Sequence, residues 1–515
     1  MDRMLLVSGS LAVVVGAFAL TSGCSGGEGT STSSTSQASS TGGSSTGDGG
    51  MGAAGSGGTA GSGGSAGAMN GSTTSGMAGA GGMGGMTSAG GAGGTGGVAG
   101  AAGAGGMGGG TTGPTPCRVC SLDGTCLEPC VPSKPDDFDC DGWTVAEGDC
   151  CDNCVLCELP ASVNPGAFEY LGNGENDDCD DTTRDDQPPT ECTDMPLSTP
   201  TSSIELVKAI DLCQFTTENP PIRQRKWGVI APSLLLADGT SVTPPKDVQV
   251  GVLADFGPYV KPIRGTTMAA LSTGTARDES DPGHAYPQNG PNPAVQKGNY
   301  DAMTSAPIPA DYLAANGGVL PSPANCPPCT GTNCTTAFDS VNFKLRIRVP
   351  TNAKSFSYRL KSYSAEYPEY TCQQFNDFFI ARLMTGWQPD PNGDPMDPKN
   401  QPLPADRNMA FDAFKNPISV NNAFYDVCFP FLNAPADACL SGTLELVGTG
   451  MGGWNGDLKD GGGTVWLVNE ANVVPGETME LEFIIFDAGD HNVDSVVLLD
   501  YFRWGLQPTA QGVHR

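Results

Sequence analysis

Histidine is nearly missing from this chain of 515 residues: His284, His491 and His514 are the only three, and they stand far apart. No Ser or Cys occupies a recognisable triad motif beside them, so nucleophilic catalysis of the Ser-His-Asp kind lacks its parts. Basic residues are scarce as well, with 26 Lys and Arg against 56 Asp and Glu and a net charge of −30. Without clustered Lys and Arg to neutralise phosphates, DNA and RNA are excluded as partners. Beyond Leu20 no apolar run is long enough to span a membrane. Between Ser25 and Gly113 charge itself is almost absent, since only Glu28 and Asp48 carry it, while 37 of those 89 residues are Gly. Such a stretch buries too little apolar surface to offset its ordering entropy. About 400 residues remain to build cores, enough for one large domain and a smaller one.

What is present begins with an export signal. Arg3 supplies a short positive n-region and Leu5 to Leu20 an apolar h-region, so residues 1–23 read as a signal peptide. Leu20-Thr21-Ser22-Gly23-Cys24 resembles the lipobox of bacterial lipoproteins, with Thr21 where that motif prefers Leu. The resemblance implies lipidation of Cys24 by acyl chains such as palmitate, hence a membrane partner. Several chains on one residue anchor stably, because each buried CH₂ contributes roughly 0.8 kcal/mol. Ser25 replaces the Asp of the inner-membrane retention rule, so the outer membrane is expected. Residues 24–113 then form a disordered Gly/Ala/Ser/Thr-rich tether with an r.m.s. reach of roughly 50 Å. Two G-x-S-x-G matches inside it (Gly43 to Gly47 and Gly63 to Gly67) lie between no strand and helix, so neither is a nucleophile elbow.

Residues 114–200 form an irregular cysteine-rich and acidic module. With Cys24 set aside, 18 cysteines remain, twelve from Cys117 to Cys213 and six from Cys326 to Cys439. An exported chain meets an oxidising compartment, so disulfides are expected, in a connectivity that sequence does not reveal. Cys151, Cys154 and Cys157 also have zinc-like spacing, but the module contains no His. From Asp136 to Asp186 there are 16 acidic residues against Arg184 alone, half the net charge in 51 residues. Asp137-Phe-Asp139-Cys-Asp141-Gly142 is a D-x-D-x-D-G loop, whose alternate carboxylates aim at one point while the glycine permits a sharp turn. Hard oxygen ligands in that pattern select Ca²⁺. An EF-hand is not supported, because loop position 12 is Gly148 where a bidentate Glu belongs. Glu147 or Asp149 is left to close the shell.

Residues 136–186 resemble the Asp/Cys-rich metal-binding motif repeated in many bacterial surface proteins. The matching segments are Asp137 to Trp143, Asp149-Cys-Cys-Asp152, Asn164-Pro-Gly-Ala-Phe-Glu169 and Asn176 to Asp180. Asp181 stands where the family has Gly, and Cys154 to Cys157 is an addition. The resemblance implies a structural Ca²⁺ with Asp137, Asp139, Asp141, Asp149, Asp152, Asp178 and Asp180 as ligands. The competing reading is a solvated acidic loop network held only by disulfides.

Residues 201–515 read as β-rich. Helical periodicity is confined to Ser203–Cys213, with Ile204, Val207 and Ile210 on one face, Ser202 or Ser203 as N-cap and Glu205 in the first turn. Phe343, Leu345, Ile347 and Val349 alternate inward against Lys344, Arg346 and Arg348, and Phe356, Tyr358 and Leu360 repeat the pattern. Further strands are expected at 378–383, 443–447, 465–468, 479–486 and 496–502, with a hairpin signal at Asp238-Gly239. Strands at this density without helices between them imply a jelly-roll-like β-sandwich head, so the chain as a whole is mainly β. The segments Ala209 to Cys213, Trp227 to Ile230, Thr351 to Phe356, Asn376 to Phe379, Phe486 to Asp490 and Leu499 to Phe502 resemble the choice-of-anchor L domain of bacterial surface proteins. That resemblance implies surface attachment and no established catalysis.

Two further features carry binding chemistry. Asp487, Asp490 and Asp494 surround a loop that also holds Asn492, and they either bind a second metal ion or cap a turn. Arg346, Arg348, Arg359 and Lys361 are expected on one sheet face, as an exposed antiparallel face or as a patch for an anionic glycan. Cys326-Pro-Pro-Cys329 mimics a redox motif but reads as a loop disulfide. Glu480 and Glu482 alternate outward on a strand, which reads as a solvated face; a glycosidase pair would need its two carboxyls roughly 5–9.5 Å apart in a cleft. The chain is expected to be a non-catalytic surface lipoprotein for binding or adhesion, with a surface glycan or another envelope protein as partner. A surface-tethered hydrolase of polysaccharide or protein and a purely structural envelope component are the alternatives.

Overall fold

The computed structural model describes residues 116–515 apart from 123, 156, 184, 187–191, 193–201, 242–245, 288–300, 325, 330, 422–423, 431–438 and 453–457. The segments read as signal peptide and tether, with Cys24, lie outside the described residues. All described residues belong to one unit, Gly105–Arg515. Among them no helix is long and apolar enough to cross a membrane.

The cysteine-rich segment contributes one small hairpin, β1 (Cys117–Cys120) and β2 (Cys126–Pro129), and otherwise runs through turns. Helix α1 (Ser203–Ala209) leads into β3 (Gly228–Leu235), β4 (Val250–Leu253), β5 (Met268–Ser272) and β6 (Ser305–Pro307). Helix α2 (Ala310–Ala315) precedes β7 (Thr336–Arg348), β8 (Ser355–Ser364), β9 (Phe378–Met384), β10 (Ile418–Ser419) and β11 (Tyr425–Cys428). The last strands are β12 (Gly462–Thr464), β13 (Leu467–Asn472), β14 (Thr478–Ala488), β15 (Ser495–Gly505) and β16 (Gly512–His514). One sheet has the order β10-β9-β14-β7-β3, with β6 added along β7. The other runs β11-β12-β8-β15-β5-β4, with β13 also on β8 and β16 on β13.

The alternation in sequence builds the sandwich directly. Phe343, Leu345 and Ile347 from β7 and Leu481 and Phe483 from β14 meet Phe356, Tyr358, Leu360, Val497 and Leu499 of the opposite sheet in one core. Tyr358 meets Phe483 edge to face across it, 5.0 Å between ring centroids. Each such fully buried side chain contributes about 1.5–3 kcal/mol. The outer faces are covered too. Tyr312 of α2 packs on Phe378, Ile380, Ile484 and Phe486, and the 446–451 segment packs on Tyr363, Val496 and Leu498. This is why β9, β14 and β15 are buried along both faces where a half-buried alternation is the simple expectation.

Three local expectations change. Residues 443–447 form a 3-10 turn (Leu444–Leu446) and no strand, because Gly442 and Gly448 at φ 62° and 73° bend the chain on both sides. Ser202 and Glu205 do form a capping box on α1, but Ile204 is exposed, and Leu206 joins Val207 in the core in its place. Asp238-Gly239 forms a tight turn that starts no described hairpin strand; β3 pairs with β7.

Nine disulfides account for all 18 cysteines after Cys24. Within the module the pairs are Cys117–Cys126, Cys120–Cys154, Cys130–Cys140, Cys150–Cys179 and Cys151–Cys157, and Cys192–Cys213 ties the entry to the head. Cys326 pairs with Cys372, Cys329 with Cys334 and Cys428 with Cys439, so the two cysteines of the C-P-P-C stretch do not join each other. Cys117, Cys120 and Cys154 lie close together, but their sulfurs are spent in disulfides and offer zinc no thiolate.

Candidate metal centre

The loop from Asp137 to Gly142 turns sharply, with Cys140 at φ 66° and Gly142 at φ 95°, and the Cys130–Cys140 bridge ties it down. The turns give each carboxylate a divided role. Asp139 Oδ1 accepts from the Asp141 N–H (3.1 Å), Asp137 Oδ2 from Gly142 (3.2 Å), and Asp141 Oδ1 from Trp143 (2.7 Å). Asp149 Oδ1 accepts from Cys151 (2.8 Å). In all four the second oxygen is buried and has no hydrogen-bond partner: Asp137 Oδ1, Asp139 Oδ2, Asp141 Oδ2 and Asp149 Oδ2. Backbone amides therefore fix each side chain and leave one oxygen per residue available.

These oxygens converge. Asp137, Asp139 and Asp141 offer ligand atoms within 4.8 Å of one another, and Asp139, Asp149 and Asp152 form an overlapping group. Burial, with the charges of Asp141 and Asp149 added, pushes the Asp139 carboxyl up to about 9. Burial first, with the Asp149 and Asp137 charges behind it, brings Asp141 to about 8. Asp149 rises to about 6 and Asp152 also rises, again by burial first. Lys134 donates instead to Glu147 Oε2 and to the Gly142 carbonyl, each at 2.6 Å. Asp149 therefore groups with Asp139 and Asp152, whereas Glu147 is taken up by Lys134. A compact set of oxygen-only ligands with unspent lone pairs suits a hard divalent cation.

Asp178 and Asp180 do not join this centre. Asp180 binds Lys226 at 2.8 Å and the Thr182 hydroxyl at 2.6 Å, which hold its carboxyl well below the usual range. Asp178 accepts from Thr183 Oγ1 at 2.9 Å. Lys226 of the head thus takes up Asp180, while the Cys150–Cys179 bridge ties this turn beside Asp149. The turn has an acidic group of its own that sequence reasoning did not select: Glu169 accepts from the Asp177 N–H (2.9 Å), keeps Oε1 buried and unpartnered, and is raised by burial to about 7.

The module is bolted to the head close to these carboxylates. Asn164, beside Asp141, accepts from Thr351 Oγ1 at 2.6 Å. The Thr351 N–H donates to the Gly166 carbonyl at 3.0 Å. Phe168 and Asn352 exchange two further hydrogen bonds, of 3.0 and 2.9 Å. Gly166 is needed there, because a Cβ would lie 2.7 Å from the Trp143 ring. Between the docked module and the head opens a groove of about 540 Å³, with Phe168, Tyr170, Phe215 and Trp227 among its walls and Asp178 and Lys226 on its polar side.

The basic stripe is dispersed. Arg346 and Arg348 lie on β7 and Arg359 and Lys361 on β8, which belong to different sheets, so outward positions on the two strands face opposite sides of the sandwich. Arg346 binds Glu218 (2.7 Å) and Glu480 (3.0 Å), and Arg348 donates to the Thr217 and Glu218 carbonyls. Lys361 is fully buried against Glu445. Glu482, buried rather than solvated, pairs with Arg382 and Lys344. Asp490 accepts from the Asn492 N–H at 2.9 Å, as a turn cap does, whereas Asp487 and Asp494 are buried.

The family model of the choice-of-anchor L domain matches residues 330–502, from the approach to β7 into β15. The match begins after the Asp/Cys module. Neither the search of curated proteins nor that of solved structures returned a match.

Proposed function

We propose that the chain is a non-catalytic cell-surface binding protein, in which a structural Ca²⁺ held by Asp137, Asp139, Asp141, Asp149 and Asp152 locks the Asp/Cys module onto the β-sandwich head. The observation that carries this reading is the buried, unpartnered oxygen on each of Asp137, Asp139, Asp141 and Asp149, residues that belong to two overlapping ligand groups sharing Asp139. Burying such oxygens costs free energy unless something pairs with them, and their mutual repulsion adds to the cost. A divalent cation removes both costs at once. The choice-of-anchor L match favours a surface location, and the lipobox at Cys24 and the tether supply the attachment: an acyl anchor in the outer membrane with the head held clear of it.

The ion's role is architectural. Asn164 touches both the acidic loop and Thr351, so ordering the loop orders the dock and with it the groove. Aromatic walls beside carboxylates and a lysine suit a polyhydroxylated ligand, whose apolar ring faces stack while its hydroxyls take hydrogen bonds. A surface glycan is the ligand class we assign to it. The rival hydrolase has one observation in its favour: Glu169, raised to about 7, lines the groove beside Asp178. Release of reducing ends from a bound polysaccharide, abolished in Glu169→Gln, would select the hydrolase.

The test is thermal unfolding of the full chain under non-reducing conditions with Ca²⁺ and with chelator, followed by a glycan array under both conditions. At 100 times its Kd the ion stabilises by about 2.7 kcal/mol, a shift of several degrees. Glycan retention that disappears with chelator supports the reading. Absence of any Ca²⁺-dependent shift removes it.

A further inference from the structure

In a chain with 56 acidic residues against 26 basic ones, carboxylate partners are in ample supply. Lys226, Lys344, Lys361, Arg346 and Arg382 all have one. Three arginines do not. Among the described residues no ion pair joins Arg118, Arg225 or Arg348 to an acidic side chain. All three line one cavity of about 350 Å³ on the seam between the Asp/Cys module and the head.

The fold brings them together from separate segments. Arg118 lies on β1 of the module, Arg225 follows the 3-10 turn Ile222–Gln224, and Arg348 is the last residue of β7. Arg348 is 8% exposed and firmly held: Nη2 donates to the Thr217 and Glu218 carbonyls (3.1 and 2.7 Å), and Nη1 to Thr216 Oγ1 (3.2 Å). Neutral acceptors orient that guanidinium without cancelling its charge. Burial and then the Arg225 charge lower it, so the two cations are near neighbours. Glu218, the acid that acts on Arg348, has both oxygens held by Arg346 at 2.8 and 2.7 Å. Asp141 is the one carboxylate lining the cavity, and its Oδ1 already accepts from the Trp143 N–H. Arg118 and Arg225 are exposed, and Trp143 and Val349 add apolar wall.

We propose that this cavity binds an oxyanion carried on a sugar, the carboxylate of a uronic acid or a sulfate ester. Guanidinium groups match either oxyanion with paired N–H···O bonds, and neighbouring cations with no acid between them gain most from a shared anion. The cavity has room for one sugar unit with its charged group. A net charge of −30 repels polyanions at large, so retention of an acidic chain needs a local site of this kind. The choice of a sugar as carrier rests on the glycan reading above, whereas the anion rests on the arginines. No residue lines both this cavity and the aromatic groove.

The test is calorimetric titration of the full chain, under non-reducing conditions with Ca²⁺ present, against hyaluronan, chondroitin sulfate and neutral dextran. The parent is expected to bind at least one acidic polymer more tightly than dextran. Arg118→Gln/Arg225→Gln, two exposed positions checked by an unchanged melting temperature, is expected to bind that polymer about tenfold more weakly. Equal binding of the acidic polymer by parent and variant overturns the proposal, as does a parent with no preference for acidic chains. Inorganic sulfate that displaces the polymer at an equal concentration of anionic groups overturns the choice of a sugar as carrier. Failure of the groove reading shows elsewhere: Tyr170→Ala/Phe215→Ala would then change no affinity, while Arg118→Gln/Arg225→Gln still loses the acidic polymer.

Discussion

Thr351 Oγ1 donates to Asn164 Oδ1 at 2.6 Å, joining two residues 187 positions apart, one next to the acidic loop and one in the turn between β7 and β8. Thr351→Val keeps the shape and removes the donor. A loss of about 1 kcal/mol is expected, read as a lower urea midpoint at constant m-value. Gly166→Ala should cost more, roughly 1–3 kcal/mol, because its Cβ would press on the Trp143 ring. If neither substitution moves the midpoint, the dock contributes nothing to stability.

Arg382 reaches Glu482 at 3.2 Å within a covered sheet face, and Lys344 approaches the same carboxylate at 3.4 Å. Arg382→Met leaves Glu482 buried with only the longer contact, so a loss approaching 3–5 kcal/mol is expected. Arg382→Met/Glu482→Gln should recover most of it. Equal stability of the single and double variants would show that the pair is not coupled.

Much of this was legible in sequence because period-two alternation states which side chains face inward. Phe343, Leu345, Ile347 and Val349 are all in the core, and the D-x-D-x-D-G spacing named Asp137, Asp139 and Asp141, which converge. Alternation does not say which sheet a strand joins. That is why Arg346 and Lys361, outward on their own strands, end on opposite sides of the sandwich. Nor does it reveal covering layers, which bury Glu482 and Lys361 and turn a nominally solvated face into ion pairs. Asp178 and Asp180 share the acidic pattern with the 137–142 loop, but Asp180 is taken up by Lys226, 46 residues downstream, and Asp178 by Thr183. The pairing of Asp377 with Asp487 needed the register, although Asn376-Asp377-Phe378-Phe379 stood out in the sequence.

Asp500 gives a pH signature of its own. Its Oδ2 accepts from the Ile263 and Arg264 N–H groups, and burial, with the Asp211 charge added, raises it to about 7. A carboxyl whose folded pKa lies above its unfolded value binds more protons in the native state, so its contribution to stability declines as pH rises through that interval. Asp500→Asn keeps an acceptor and removes the titration. Its stability relative to the parent should grow between pH 3.8 and about 7 and stay level above. A pH-independent difference would contradict the assignment.

The groove makes a separate prediction. Tyr170 and Phe215, 42% and 41% exposed, are groove-lining aromatics whose truncation should disturb the core little. Tyr170→Ala/Phe215→Ala is expected to lower glycan retention at least about tenfold while the Ca²⁺-dependent melting shift persists. Unchanged retention would place the ligand elsewhere.

The central claim is that buried Asp oxygens hold Ca²⁺ and thereby fix the module. Calorimetric titration of the chelator-treated full chain with Ca²⁺, beside Asp139→Asn/Asp141→Asn, tests it most directly. The account predicts that the variant binds one ion fewer and loses the part of the melting-temperature rise that this ion supplies. Identical isotherms for the two chains, or no heat of binding in the parent, would contradict it.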